Sequence, residues 1–265
     1  MFRAVLSTVV AIIAMLNVNA TASATSVDDI KARGRILIGV DLGHPPYGML
    51  DTKAEPIGSD VETAKLLAKD MGVELEMVAV SGANRVPFLV SNRVDLVISS
   101  FSITDERAKV VDFSLPYGVV PVDVAARASM NIKGATDLSG KAIAVVRGTT
   151  TDIELTQLLK KKGIEAQIIR YEDEATANMA IVTGQQDIIA TALYEAIAIS
   201  EQNPKLDLKI VFELASYPMG VGIRKGNELL KLWVDQWVEA NLKNGNLNEI
   251  YKKYFKQSLP AEMLK

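Results

Sequence analysis

The sequence predicts an α/β chain folded as two lobes, and three observations lead there. Short apolar, strand-like runs alternate with segments of helical periodicity along most of the chain, the pattern of α/β units around mostly parallel sheets. Two extended segments far apart in sequence, "PYGVVPV" at 116–122 and "YPMGVG" at 217–222, carry Pro and Gly where a chain would cross between lobes. Finally, the 265 residues include no Cys, so burial alone must hold a fold long enough for one large or two modest domains.

Taken in order, the chain opens with "MFRAVLSTVVAIIAMLNVNATASATS". Arg3 precedes an apolar run at 4–16, and Ala22-Ser23-Ala24 fits a small-residue cleavage site, so residues 1–24 are expected to be a cleavable secretory signal. The run is too short for a comfortable membrane span, and no Cys follows it to carry a lipid, so the mature chain is expected to be soluble and periplasmic. Strand-like runs then occur at 36–40, 74–80, 94–99, 119–126, 142–146, 167–171, 187–192, 209–213 and 220–223. Helices are expected at 61–69, where Ala64, Leu67 and Ala68 share a face, and at 151–162, which presents Ile153, Leu155, Leu158 and Leu159 and ends in a Lys cluster and Gly163. Residues 175–182 and 229–242 are further helical segments. With the two crossings, residues 27–120 plus 220–265 form a discontinuous first lobe and 121–219 an inserted second one. The cleft between such lobes is a natural small-molecule site, and hinge closure would bury its contents.

The charge balance excludes several function classes. Lys and Arg number 29 against 32 Asp and Glu, for a net charge of −3, and no basic run is long enough to suggest nucleic acid. One His and no Cys argue against a transition-metal site, and no cofactor is expected. The chemistry that does stand out suits an anion. In "SSFSITDERAKVVDFSLPY", Arg107 offers a planar fork for a carboxylate, and Ser100 and Ser102 offer hydroxyl or backbone donors beside it. The pattern equally fits a surface Arg paired with Glu106, with Ser102 or Thr104 capping a short helix. In "RGTTTDIEL", Gly148 permits close backbone approach and Thr149-Thr150 lie where a strand gives way to a helix whose first amides favour an anion; a plain Thr or Asp cap fits as well.

Five ordered landmarks, "ILIGVDLGHPPYGMLD", "GSDVETAKLLAKDMGVELEMV", "NRVPFLVSNRVDLVISSFSITDERAKVVDFSLPY", "DLSGKAIAVVRGTT" and "VTGQQDIIATAL", together resemble the solute-binding proteins of polar amino-acid ABC transporters, family 3 of the bacterial extracellular binding proteins. The resemblance implies a two-lobed periplasmic-binding-protein-like (type II) fold with a two-strand hinge. It implies capture of a polar amino acid or related small carboxylate and delivery to the membrane permease of an ABC importer, by a monomer that does no chemistry. It places the ligand carboxylate between Arg107, the Ser100/Ser102 segment and the Thr149/Thr150 turn. The Asn84-Arg85 pair resembles the glutamate/aspartate branch, in which the matching Arg approaches an acidic side chain; Arg85 could instead pair with Asp41. Asp41, His44 and Tyr47 fall in a loop that contributes ligand contacts in relatives. The sequence departs from the family at Ala192, where an ammonium-binding Asp is expected; Asp41 or Glu174 could take that role, or the ligand lacks a free amine. Ser59 replaces a common aromatic. Two other functions occur on this fold. A prephenate or arogenate dehydratase would need a general acid, for which Glu174 and Glu195 are the cleft carboxylates at hand, but "GTTTDIEL" does not match the dehydratase segment. A ligand-sensing module is the other.

Overall fold

The computed structural model describes residues 26–265; the leader expected at 1–24 lies outside the described residues. The elements in chain order are α1 (Val27–Arg33), β1 (Arg35–Val40), β2 (Met49–Leu50), β3 (Pro56–Ile57), α2 (Ser59–Met71), β4 (Glu74–Ala79), α3 (Arg85–Val90), β5 (Leu96–Val97), α4 (Asp105–Ala108), β6 (Val111–Arg127), β7 (Ala142–Val146), α5 (Thr150–Lys162), β8 (Gln167–Tyr171), α6 (Glu174–Val182), β9 (Ile188–Ala192), α7 (Leu193–Gln202), β10 (Leu208–Arg224), α8 (Glu228–Lys243) and α9 (Asn246–Phe255). Short 3-10 turns join some of them. Local chemistry sets several boundaries. Ser26 and Asp29 form a capping box at α1, and Gly34, at φ 75°, ends that helix. Thr149 caps α5, which stops at Gly163 with φ 62°.

The main sheet runs β4-β1-β5-β10-β6-β9-β7-β8. Strands β6 and β10, each 17 residues long, pair antiparallel from Val111↔Arg224 to Arg127↔Leu208 and serve both lobes. Near one end β10 borders β5, which leads to β1 and β4; near the other end β6 borders β9, which leads to β7 and β8. The strand-like runs at 209–213 and 220–223 are therefore one strand, not two separated by a crossing. Register shifts between Met219 and Gly220 and between Gly220 and Gly222 absorb the irregular residues and let the ladder continue. Both crossings expected from Pro and Gly are thus strands of a two-strand hinge, and the α/β, two-lobed expectation stands.

Alternation distributes the core between sheet faces. In β7, Ile143 and Val145 pack with Val124, Leu155 and Ile188, whereas Ala144 and Val146 pack with Ala177, Ile181 and Ile199. The other end of the sheet buries Ile36, Ile38 and Val40 against α2, α8 and α9, and Leu89, Val97 and Phe101 on the opposite face. Helices α1, α3, α7 and α9 were not anticipated. Helix α3 has little periodic signal, because it contains Pro87 and only six residues.

Candidate functional site

The candidate site lies between the walls that the two hinge strands join. Its first wall starts at Ser100, just beyond β5. Ser100 adopts φ 41°, a left-handed conformation that a non-glycine residue reaches only when its surroundings hold it there. The holder is Asp60, one residue into α2: Asp60 Oδ2 accepts the Ser100 N–H at 2.6 Å and Oδ1 accepts the Tyr117 hydroxyl at 3.0 Å. Burial pushes the Asp60 carboxyl up to about 6, against the downward pull of these two donors. Nothing in the sequence marks this residue, since its partners lie 40 and 57 positions away.

With its backbone fixed, Ser100 turns its Oγ to His44 Nδ1 at 3.2 Å. The other imidazole nitrogen lies 3.2 Å from Glu195 Oε2, an ion-pair distance off the hydrogen-bond axis. Burial opposes charge on this imidazole, but Glu195, reinforced by Glu174 and Asp41, outweighs it and raises the His44 pKa to about 9. His44 is therefore an imidazolium at neutral pH, and Nδ1 donates to Ser100. Glu195 also accepts from Asn178 Nδ2 at 2.7 Å and from the Thr191 hydroxyl.

Arg85 is buried on the same wall. Its Nη1 donates to the Ser99 carbonyl at 2.6 Å, its guanidinium lies 4.8 Å from the Phe101 ring centroid, and its Nε has no protein partner. No ion pair to Asp41 forms. Arg107 stacks over the other side of the site, 5.0 Å from the same ring, and bridges the lobes: Nη1 donates to Ser102 O at 2.9 Å and Nη2 to Gly148 O at 3.1 Å. Burial, followed by nearby Arg85, lowers its pKa to about 9, so it remains charged at neutral pH. Glu106 pairs with Lys109 rather than Arg107, while Thr104 does cap α4 by accepting the Arg107 N–H at 3.3 Å. The helix-cap reading of this stretch thus holds at Thr104, and its expected Arg107–Glu106 pair does not form.

The second wall is the start of α5. Thr149 Oγ1 donates to Val146 O at 2.7 Å and accepts the Asp152 N–H at 3.2 Å, and Thr150 Oγ1 meets Ser102 Oγ at 3.2 Å across the cleft. The lobes are in close contact: a Cβ on Gly82 would sit 2.7 Å from Thr149 Cγ2, and one on Gly43 would sit 3.2 Å from Ala175 Cβ.

His44, Arg85, Ser100, Ser102, Thr149, Thr150, Glu174 and Glu195 line one cavity, with Val120, Val122, Ala190 and Ala192 as its apolar sides. The walls surround ≈ 370 Å³ of atom-free space, part of it at the mouth. Arg107 stands outside this lining, at the Ser102–Gly148 seam. Asp41 also stands outside it, accepting the Gly43 N–H at 2.9 Å, and Tyr47 is fully buried between His44 and Phe255. Thr191 and Thr151 are lining residues that sequence reasoning did not single out; they neighbour Ala192 and Thr150 and differ in no way from ordinary strand and cap residues.

The model of the family "Bacterial extracellular solute-binding proteins, family 3" matches residues 36–257. The chain is 30% identical over 249 residues to the L-cystine-binding protein of Escherichia coli, covering 93% of this chain and 92% of that one. Among solved structures it resembles the cysteine-binding protein from Campylobacter jejuni, with a TM-score of 0.80 and 30% identity over 87% of this chain and 92% of that one. It also resembles an ancestral amino acid-binding protein described as a precursor of cyclohexadienyl dehydratase, with a TM-score of 0.78 and 32% identity over 86% of this chain and 99% of that one.

Proposed function

The chain belongs to the bacterial extracellular solute-binding proteins of family 3, and on that premise we propose that it captures a polar amino acid outside the cytoplasm by hinge closure and delivers it to an ABC importer. The observation that carries this reading is the cavity's charge arrangement. Arg85 and His44 enter from the first wall, Glu174 and Glu195 from the second, so a zwitterion would meet opposite charges on opposite sides. Arg107, with Ser100, Ser102, Thr149 and Thr150, clamps the ligand carboxylate at the seam: two of the five guanidinium N–H groups bond to carbonyls, which leaves donors for an oxygen pair. Arg85 selects among side chains, and His44 forms part of the wall against them.

Residues 27–120 with 220–265 make up the first lobe and 121–219 the second, a division supported by the shared hinge strands. The protein acts as a monomer after removal of an export signal at 1–24. No helix among the described residues is long and apolar enough to cross a membrane.

A thermal-shift screen against the L-amino acids, L-cystine, dicarboxylates and amine-substituted amino acids tests the proposal. At a hundredfold excess over Kd, a ligand of the native state adds about 2.7 kcal/mol of stability. At least one amino acid is expected to raise the midpoint. A flat response to all of them would overturn the reading.

A further inference from the structure

Glu174, the first residue of α6, lines the cavity with 3% of its surface exposed, and its Oε2 has no protein partner. The other carboxylate in the lining, Glu195, has both oxygens engaged, Oε1 by Asn178 and Oε2 by Thr191 and His44. Arg85 is the converse case on the facing wall: buried, with Nε unpartnered. A buried acceptor and a buried donor left without partners are each costly, and together they describe a ligand carrying a donor on one side and an acceptor on the other.

Glu174 has a second peculiarity. Its carboxyl lies within hydrogen-bonding reach of the Asp41 carboxyl, which approaches from the other lobe where Gly43 packs on Ala175. Two carboxyl groups can bond to each other only through a proton. The charged groups around them are His44 and Asp41 from the loop after β1, Arg85 from α3 and Glu195 from α7. His44 is already committed to Glu195. Burial and then Asp41 push the Glu174 carboxyl well above its ordinary range, in keeping with a proton held on Glu174.

We propose that Glu174 is the acceptor for the ligand's ammonium group, that the site therefore admits ligands with a free, charged amine, and that binding releases the proton held on Glu174. Charge balances: the ammonium brings one positive charge to Glu174 and the expelled proton carries one to the buffer. The inference rests on the solute-binding reading above, and it makes affinity rise with pH wherever Glu174 in the ligand-free cleft is still protonated.

The probe is the L-amino acid giving the largest thermal shift. Calorimetric titration of the unaltered protein in phosphate and in Tris at one pH separates the heat of buffer protonation, and release of about one proton per ligand is expected. The N-acetyl derivative of the same amino acid is expected not to bind. Glu174→Gln keeps the shape and one acceptor but loses the charge, so it should bind the probe about tenfold or more weakly and release no proton. If the amino acid binds without proton release, if its N-acetyl form binds equally well, or if Glu174→Gln binds unchanged, the role of Glu174 is overturned while the solute-binding function stands. If no amino acid binds the unaltered protein, both fall. Should Glu174→Gln fail to fold, the two-buffer titration and the N-acetyl probe decide alone.

Discussion

On the first wall, three polar groups are secured within their own lobe: Ser100 by Asp60, Arg85 by the Ser99 carbonyl, and Arg107, through Nη1, by the Ser102 carbonyl. On the second wall, Thr149 is likewise held by Val146, but Thr150 and the Gly148 carbonyl find their side-chain partners across the cleft. Glu174 meets Asp41 in the same way. The difference separates two jobs. A wall whose donors are fixed in advance costs little ordering when ligand arrives, whereas a wall whose partners lie opposite gains them only on closing. The first lobe would then supply capture and the second the preference for the closed state, which a ligand touching both can shift.

The largest expected effect breaks this division at its seam. Arg107→Ala should weaken amino-acid binding by about 3–5 kcal/mol, because a carboxylate desolvated in the closed cleft would lose its charged partner. Stability without ligand should change less, by about 1–3 kcal/mol, since of the two carbonyls released only that of Ser102 is left at a buried residue, while Gly148 is exposed and water can serve it. Titration calorimetry and urea unfolding measure the two quantities separately. Retained affinity within a few-fold would remove Arg107 from the clamp; a large loss of ligand-free stability would make it a structural brace between the walls.

The next effect concerns the charged contact that does cross the cleft within the cavity. His44 has its pKa raised to about 9 by Glu195 in the folded protein, against about 6.5 in an unfolded chain. A raised pKa means that the ion pair's contribution is fully present below pH ~6.5 and is lost as pH climbs through about 9. The closed form should therefore weaken over that window, seen as faster hydrogen exchange at the α5 start or a more open scattering profile. Glu174 would lose its proton in the same direction, so the control is His44→Gln. That variant should cost about 2–5 kcal/mol of closure at pH 7, the usual range for truncating one member of a buried charge pair, and should flatten the pH response above 6.5. An unaltered slope would assign the pH response to Glu174 instead.

Much of this architecture was legible in the sequence. Alternating strand and helix patterns, the Gly163 stop and the two extended crossings all reflect local chemistry that composition and spacing report. The site was legible where a residue's type announces its chemistry, as with Arg85, Ser100, Ser102, Thr149, Thr150 and His44, all of which reach one cavity. Tyr47 shows the limit: an aromatic in the right loop is fully buried under His44 rather than exposed to the cleft. Asp60 and the partnering of Glu174 with Asp41 were illegible for another reason. Their meaning comes from contacts between distant positions, which leave no periodicity and no local motif. Continuity of β10 through Gly220 was hidden in the same way, because bulges are defined by the partner strand.

The smallest effect tests closure without touching charge. Gly82 lies in the loop before α3, and a Cβ there would stand 2.7 Å from Thr149 Cγ2 and 3.1 Å from the Arg147 carbonyl, both on the opposite wall. Thr149 Cγ2 can move little, because its hydroxyl is tied to Val146 and its residue caps α5. Gly82 has no left-handed φ, so Gly82→Ala introduces no backbone strain of its own and leaves the open form undisturbed. The added methyl group acts as a wedge, at the roughly 1–3 kcal/mol that overpacking usually costs, and all of that cost falls on the closed state. Ligand-free stability should hold while affinity drops and ligand dissociation quickens, since capture on the first wall is untouched. Equal affinity in Gly82→Ala would mean that the bound cleft is wider here than the closed form described, and that the second wall contributes less than its contacts suggest.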